Sequence, residues 1–185
     1  MPIALFGSNS LVNFSKSPYR HITILHTNDT HSHIDPFGSD HHRNANKGGI
    51  ARRAELISKI RSENPNTLLM DAGDIFQGTH YFNYYKGELE FRLMSSLKYD
   101  VATLGNHDFD NGIEGLFKQL PHAKFDFVSA NYDFKNTVLD TYIKPYKVIV
   151  KGGIRIGVFG LGIELEGLVN KKNFKETKYL DPIEI

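Results

Sequence analysis

Three short polar motifs in the first two thirds of the chain carry side chains that can bind metal ions. They are Asp29-Thr30-His31, Gly73-Asp74 and Gly105-Asn106-His107-Asp108. Carboxylate, imidazole and amide groups without any thiol form a ligand set that suits Mn, Zn, Fe or Mg ions. A carboxylate can also bridge two metal ions, and two ions about 3.5–4 Å apart stabilise an in-line displacement. These residue types therefore favour metal-assisted chemistry.

Each of these motifs follows a predicted β-strand. Runs of β-branched and apolar residues predict strands over 22–27, 67–71 and 100–104, the first of them buried, and each run ends where a motif begins. Ligands of α/β proteins bind beyond the carboxyl ends of the strands. We therefore expect the three loops to converge in space.

The remaining sequence alternates between helical and extended patterns. Spacings of three and four between apolar residues predict helices, and short apolar runs beside turn residues predict strands. The predicted elements are a loop over 34–48, helices from 49 to 63, over 82–97 and over 111–120, a strand over 125–130, and a hairpin of 146–150 with 154–160. No pattern is recognisable over 164–185. This alternation predicts an α/β sheet with helices packed against it.

Composition narrows the class of protein. Hydrophobic residues make up 40% of the 185-residue chain and charged residues 23%, which is typical of a folded domain. Lys and Arg number 22 against 21 Asp and Glu, so the net charge of +1 argues against a nucleic acid as partner. No apolar run approaches the roughly 20 residues of a membrane span. The absence of cysteine excludes disulfides and thiol nucleophiles.

The full motif strings resemble those of a known family. Ile24-Leu-His-Thr-Asn-Asp-Thr-His31, Gly73-Asp-Ile-Phe-Gln-Gly-Thr79 and Gly105-Asn-His-Asp-Phe-Asp110 resemble the calcineurin-like metallophosphoesterase superfamily. Within it they resemble the 5′-nucleotidase branch, which includes UDP-sugar hydrolases and 2′,3′-cyclic nucleotide phosphodiesterases. The resemblance covers about residues 22–162. It implies a metallophosphoesterase-type β-sandwich flanked by helices, and a dimetal-dependent hydrolase of phosphate esters, above all nucleotides.

The resemblance also implies a role for each metal-binding position. Asp29 and His31 would bind the first divalent ion, Asp74 would bridge both ions, and Asn106 would bind the second through its amide oxygen. The ions would be Mn, Zn, Fe or Mg, and a metal-bound hydroxide would be the nucleophile that attacks phosphorus.

Two further residues take catalytic roles by the same resemblance. His107 would contact the substrate phosphate rather than a metal ion, and Asp110 would orient its ring. The imidazole could stabilise charge on the phosphoryl oxygens or protonate the leaving group.

The sequence departs from the family pattern in its second half. The superfamily completes its site with later histidines, including a Gly-His-x-His element, whereas here no histidine follows His122. We therefore interpret 21–185 as the amino-terminal part of a metallophosphoesterase domain. Residues 1–20 are rich in Ser and Asn and show no periodicity, so we interpret them as a flexible leader. The expected partners of the domain are a small phosphate ester and the carboxyl-terminal portion of the same polypeptide. The alternative hypothesis is a non-catalytic module that binds a metal ion or another ligand.

Several residues also have purely structural interpretations. Asp110 could cap the helix that follows it instead of orienting His107. We interpret His26 as a hydrogen-bonded core histidine, and His33 could line the entrance of the site. The basic stretch 41–43 is interpreted as a solvated loop. The resemblance implies a periplasmic or extracellular location, although 1–20 lack the features of a secretory signal.

Overall fold

A four-stranded parallel sheet forms the centre of the structure. The computed structural model describes residues 19–185, so the predicted leader over 1–20 lies outside the described residues apart from its last two. The strands lie in chain order: β1 (Thr23–Thr27), β2 (Thr67–Asp71), β3 (Val101–Ala102) and β4 (Asp126–Phe127). Their pairing is parallel throughout. The predicted α/β class is confirmed.

The register brings the carboxyl ends of the first three strands to one edge of this sheet. Thr27 lies opposite Asp71, which in turn lies opposite Ala102. The loops that follow β1, β2 and β3 therefore leave the sheet side by side. This is the arrangement in which α/β proteins place their ligand sites.

Helices and two small sheets complete the fold. The helices are α1 (Ile50–Glu63), α2 (His80–Tyr85), α3 (Glu88–Ser96), α4 (Gly112–Gln119) and α5 (Lys171–Phe174), with 3₁₀ turns at His107–Phe109 and Leu120–His122. β5 (Tyr132–Asp133) pairs with β8 (Lys178–Tyr179), and β6 (Tyr146–Lys151) pairs with β7 (Ile154–Phe159), in both cases antiparallel. None of the helices within residues 19–185 has the length and apolar character required to cross a bilayer.

Aromatic residues dominate the core between the sheet and the helices. Phe76, Phe91 and Phe109 are completely buried, and the rings of Phe76 and Phe91 stack with their centroids 4.9 Å apart. Phe127 on β4 lies 5.1 Å from the ring of Phe91. The loop after β2, which contains Phe76, is thus anchored in the core rather than lying free on the surface.

The single helix predicted over 82–97 is wrong, because the chain forms α2 and α3 with a break between them. Lys86 and Gly87 both adopt left-handed backbone conformations, with φ of 57° and 104°. The Phe76 ring lies directly against Gly87, where a Cβ atom would come within 2.2 Å of the ring. The apolar spacing continues through both helices, but the left-handed conformations of Lys86 and Gly87 turn the chain between them.

Four other expectations need correction. β3 and β4 are only two residues long, and the patternless region over 164–185 contains α5 and β8. The predicted burial of the first strand is also wrong, since alternate residues of β1 are exposed. His26 is one of them and is therefore not a core histidine, because side chains along a strand point alternately to opposite faces. The hairpin of β6 and β7 is confirmed.

Candidate metal centre

Three of the predicted metal ligands converge at the carboxyl edge of the sheet. One ligand atom from each of Asp29, His31 and Asp74 lies within 4.8 Å of the other two. Nε2 of His31 is 3.9 Å from Oδ1 of Asp29 and 3.9 Å from Oδ2 of Asp74. Ligand atoms about 2.0–2.2 Å from one ion can be up to about 4.4 Å apart, so Nε2 of His31 lies close enough to each of these two carboxylate oxygens to share an ion with it. The oxygen and imidazole donors fit a hard or borderline divalent cation.

A backbone contact fixes the orientation of the His31 ring. Nδ1 of His31 lies 3.2 Å from the carbonyl oxygen of Phe76. A carbonyl only accepts hydrogen bonds, so Nδ1 carries the proton and donates it to this bond. Nε2 then faces the carboxylates of Asp29 and Asp74. Partners of this kind orient metal-binding imidazoles in many proteins.

The loops that carry these side chains adopt an unusual backbone conformation. Asp29, His31, Ser32, Asp74 and Gln77 all have φ between 45° and 66°. Only a few per cent of residues other than glycine adopt such angles, and each costs on the order of 1–3 kcal/mol. Strain of this kind is concentrated at functional sites, which makes these loops a candidate for one.

Hydrogen bonds between the two loops impose this conformation. The N–H groups of Asp29 and His31 donate to the carbonyl oxygens of Gly73 and Asp74, each over 3.0 Å, and the N–H of Ser32 donates to Ile75 over 2.9 Å. The loop after β1 therefore lies along the loop after β2, beyond the end of the ladder between the two strands. Its side chains are held against Asp74.

The third motif closes the site from the other side. The N–H of His107 donates to Oδ1 of Asp74 over 2.9 Å. A Cβ atom on Gly105 would come within 2.1 Å of the same oxygen, so only glycine allows this approach. Asn106 lies between Gly105 and His107 in the chain and is half-buried. The rings of His31 and His107 meet edge to face, with their centroids 5.2 Å apart.

Asp110 contacts His107 and does not cap the following helix. Nδ1 of His107 lies 2.8 Å from Oδ2 of Asp110. The residue that precedes α4 is Asn111, and it forms no side-chain capping bond. The hydrogen bond from His107 to Asp110, together with the nearby negative charge, raises the pKa of His107, although partial burial opposes this. Of the two interpretations of Asp110, the geometry matches the one that orients His107.

Comparison with known proteins now identifies the fold. The sequence profile described as calcineurin-like phosphoesterase matches residues 22–183. The chain belongs to this family. This match confirms the resemblance that we inferred from the motifs. The class of metallophosphoesterases identified in this way includes enzymes of the 5′-nucleotidase type.

Named 5′-nucleotidases are among the similar proteins. The snake venom 5′-nucleotidase of Naja atra is 44% identical over 146 residues, which cover 75% of this chain and 28% of the venom protein. The 5′-nucleotidase of Homo sapiens is 43% identical over 147 residues, which cover 75% of this chain and 26% of the human protein. The chain thus spans about a quarter of the length of these relatives.

A solved structure shows the same fold. The crystal structure of a 5′-nucleotidase precursor from Thermus thermophilus matches with a TM-score of 0.77 and 38% identity. The match covers 88% of this chain and 32% of the other. The parallel sheet flanked by helices is therefore that of the calcineurin-like phosphoesterases.

The candidate metal centre also contains buried carboxylates to which sequence reasoning assigned no role. Burial raises the pKa of Asp71 to about 6, and hydrogen bonds from Thr27 and Gly73 oppose this only in part. Burial likewise raises the pKa of Asp108 to about 7, although hydrogen bonds from the N–H groups of Gly105 and Phe76 oppose the increase. Asp108 ends the third motif, but nothing in the sequence indicates that its side chain turns inward.

The other candidate residues lie beside the candidate metal centre or outside it. The ring of His33 packs against Phe37 at 4.6 Å, and burial lowers the pKa of His33. His41 and Arg43 are exposed, as expected for a solvated loop. Arg52 donates to the backbone carbonyl of Gly48 over 3.3 Å and so holds that loop on α1.

Proposed function

We propose that the chain forms the metal-binding part of a hydrolase that cleaves phosphate esters of nucleotides with the help of two divalent ions. One observation carries the proposal. Asp29, His31 and Asp74 come from two different loops, yet their ligand atoms meet within 4.8 Å, in a backbone strained at all three residues. His107 lies on the same rim, where it can reach a phosphate held by the ions.

The residues divide the metal binding between them. Asp29 and His31 would hold the first ion, Asp74 would bind both ions, and Asn106 would hold the second through its amide oxygen. Bound divalent ions would neutralise charge on the phosphoryl group and supply an activated water as nucleophile. The contact from Nδ1 of His31 to Phe76 leaves Nε2 as the ring atom that would bind the ion.

His107 would act on the substrate. Its Nδ1 atom is engaged by Asp110, so Nε2 is the ring atom that can donate to a phosphoryl oxygen or to the leaving group. The raised pKa of His107 favours the protonated ring, which is the form that can donate from Nε2 while Nδ1 stays bonded. The ring thus stabilises negative charge that develops on the substrate.

The names of the relatives support nucleotides as the substrate class. The venom and human proteins are both named 5′-nucleotidases, and they are 44% and 43% identical to this chain over the aligned residues. Because the chain spans about a quarter of their length, the activity of the whole protein and its substrate remain our proposals.

Metal analysis combined with a turnover assay tests the proposal. Two equivalents of Mn²⁺ or Zn²⁺ retained after dialysis, together with release of phosphate from AMP and from p-nitrophenyl phosphate, would support the hydrolase. Retention of one equivalent or none, without turnover, would instead support the non-catalytic binding module. Parallel assays with Mn, Zn, Fe and Mg salts would identify the preferred ion.

A further inference from the structure

Asp108 is the most completely buried acid at the site. Its side chain is 1% exposed, although its neighbours His107 and Asn106 are only half-buried. It lies in the 3₁₀ turn His107–Phe109, which turns its carboxylate inward, away from the surface that carries His107. Among residues 19–185, no Lys or Arg side chain forms an ion pair with it.

Backbone N–H groups surround this carboxylate instead. Oδ1 of Asp108 accepts from Ile75 over 2.9 Å and from Phe76 over 3.1 Å. Oδ2 accepts from Asp74 over 3.0 Å and from Gly105 over 2.8 Å. Two N–H groups thus point at each oxygen, an arrangement that stabilises the ionised form.

These four N–H groups belong to two loops that the sheet no longer joins. The ladder between β2 and β3 consists of two residue pairs and ends at Asp71 and Ala102. Past this point, three of the donors lie on the loop that carries Asp74, and Gly105 lies on the loop that carries Asn106. Asp108 therefore connects the two loops where the backbone pairing between their strands has stopped.

We propose that Asp108 is a positioning residue that sets the spacing between Asp74 and Asn106, and hence the geometry with which the two loops bind metal ions. The inference rests on the metal-binding function proposed above. Asp108 itself touches neither metal nor substrate. It acts by fixing the backbone from which Asp74 and Asn106 project, as residues behind the ligands do in other metal sites.

The structure predicts how the isosteric variant Asp108→Asn should fail. Asparagine has the same shape but offers one acceptor oxygen, and its NH₂ group donates. If that oxygen still accepts hydrogen bonds from the N–H groups of Ile75 and Phe76, the NH₂ group faces the N–H groups of Asp74 and Gly105. In the opposite rotamer the oxygen accepts from Asp74 and Gly105, and the NH₂ group faces the N–H groups of Ile75 and Phe76. Either way, two backbone donors lose their acceptor and the connection between the loops is broken.

Asp100 provides a matched control at the other end of the same strand. Its Oδ2 accepts the N–H of Leu69 over 2.8 Å, and its Oδ1 pairs with Lys151 over 2.8 Å. Asp100→Asn therefore also removes the charge from an aspartate that accepts a backbone N–H beside β2. It does so at the amino end of the sheet, away from the metal-binding loops.

The experiment measures Mn²⁺ affinity by calorimetry, together with backbone amide exchange in the metal-free chain by NMR. We expect Asp108→Asn to weaken Mn²⁺ binding by about 10–100-fold. The amides of Ile75, Phe76 and Gly105 should exchange faster, whereas Asp100→Asn should change neither property. Wild-type Mn²⁺ affinity and wild-type exchange in Asp108→Asn would overturn the inference, as would equal losses in both variants.

The two readouts separate this inference from the proposed function. If the wild-type chain binds no Mn²⁺, the proposed function fails, and amide exchange alone decides the role of Asp108. Faster exchange confined to 73–76 and 105–107 would support a positioning role, and unchanged exchange would refute it. Should Asp108→Asn fail to fold, Asp108→Glu, which keeps both acceptor oxygens on a longer side chain, is measured by the same criteria.

Discussion

Nδ1 of His107 donates to Oδ2 of Asp110 over 2.8 Å, within a single turn of the chain. Asp110 therefore fixes the ring of His107 in its plane and commits Nδ1 to this bond. The His107 ring in turn stands at 75° to the ring of His31. A ring that could act on substrate thus lies beside one that could bind metal, and each is oriented by its own partner.

Replacing His107 with alanine separates these two roles. We expect His107→Ala to keep the wild-type metal content and to lower turnover of AMP by about 10²–10⁴-fold, the usual contribution of a general acid or base. Metal analysis and initial rates measure both quantities on one sample. His122→Ala serves as the control, since His122 lies in the second 3₁₀ turn, 3.9 Å from Glu88. Loss of metal from His107→Ala would make this residue a ligand and contradict our assignment.

Asp110→Asn should change the proton affinity of His107 without removing its ring. The hydrogen bond to Asp110 is the largest cause of the raised pKa of His107, followed by opposing burial and then by the charge of Asp110. Asparagine keeps an acceptor but removes the charge, so the pKa of His107 should fall. NMR titration of the ring protons in the metal-free chain, compared with wild type, measures this. Superimposable titration curves would show that Asp110 does not control this ring.

Asp74→Asn should remove the bridge that we propose between the two metal ions. Oδ1 of Asp74 accepts the N–H of His107, and Oδ2 faces Nε2 of His31 at 3.9 Å. A neutral amide with one oxygen cannot replace an ionised carboxylate between two cations. We expect the metal content to fall from two equivalents to one or none and turnover to disappear. Asp133→Asn, on the separate sheet formed by β5 and β8, should behave as wild type. A wild-type rate in Asp74→Asn would refute the proposed function.

The elements that sequence reasoning predicted well are those whose signals are local. β2 and α1 follow from runs and periodicity within single segments, and the hairpin of β6 and β7 follows from Gly152 and Gly153. The convergence of the three motifs also followed from the sequence, because parallel strands share one carboxyl edge.

What the sequence did not reveal depends on contacts between residues that are distant along the chain. At the break between α2 and α3, the Phe76 ring occupies the space that a side chain at position 87 would need. The left-handed backbone of Asp29 and His31 depends on hydrogen bonds to the loop after β2, on the far side of α1 in the sequence. The donors around Asp108 likewise belong to that loop, except for the nearby N–H of Gly105. No local propensity encodes these contacts.

Gly87→Ala tests the account of the helix break. Gly87 has a φ of 104°, and an added Cβ atom would lie 2.2 Å from the Phe76 ring. Backbone strain and overpacking together should lower the free energy of unfolding by about 2–5 kcal/mol. Urea denaturation measures it. In the control Gly157→Ala on β7, the new Cβ atom meets nothing within 4 Å, so stability should change little. Equal stability of both variants and wild type would show that Gly87 is not required at the break.

Asp71 should make the metal-free protein less stable as the pH rises from about 4 to about 6. Burial raises its pKa from 3.8 to about 6, so in this range the folded state binds a proton that the unfolded state has released. Stability then falls with pH, by an amount on the order of 3 kcal/mol at about 1.4 kcal/mol per pKa unit.

Asp71→Asn should remove this part of the pH dependence. The amide can still accept the N–H of Gly73 and can donate to Thr27, whose hydroxyl lies 2.7 Å from that of Tyr99 and can donate to it. The network is thus kept without a charge to bury, and the stability of the variant relative to wild type should grow between pH 4 and 6. Urea denaturation in the presence of a chelator, at half-unit intervals of pH, measures this difference. Two parallel stability curves would mean that Asp71 has the same proton affinity in the folded and unfolded chains.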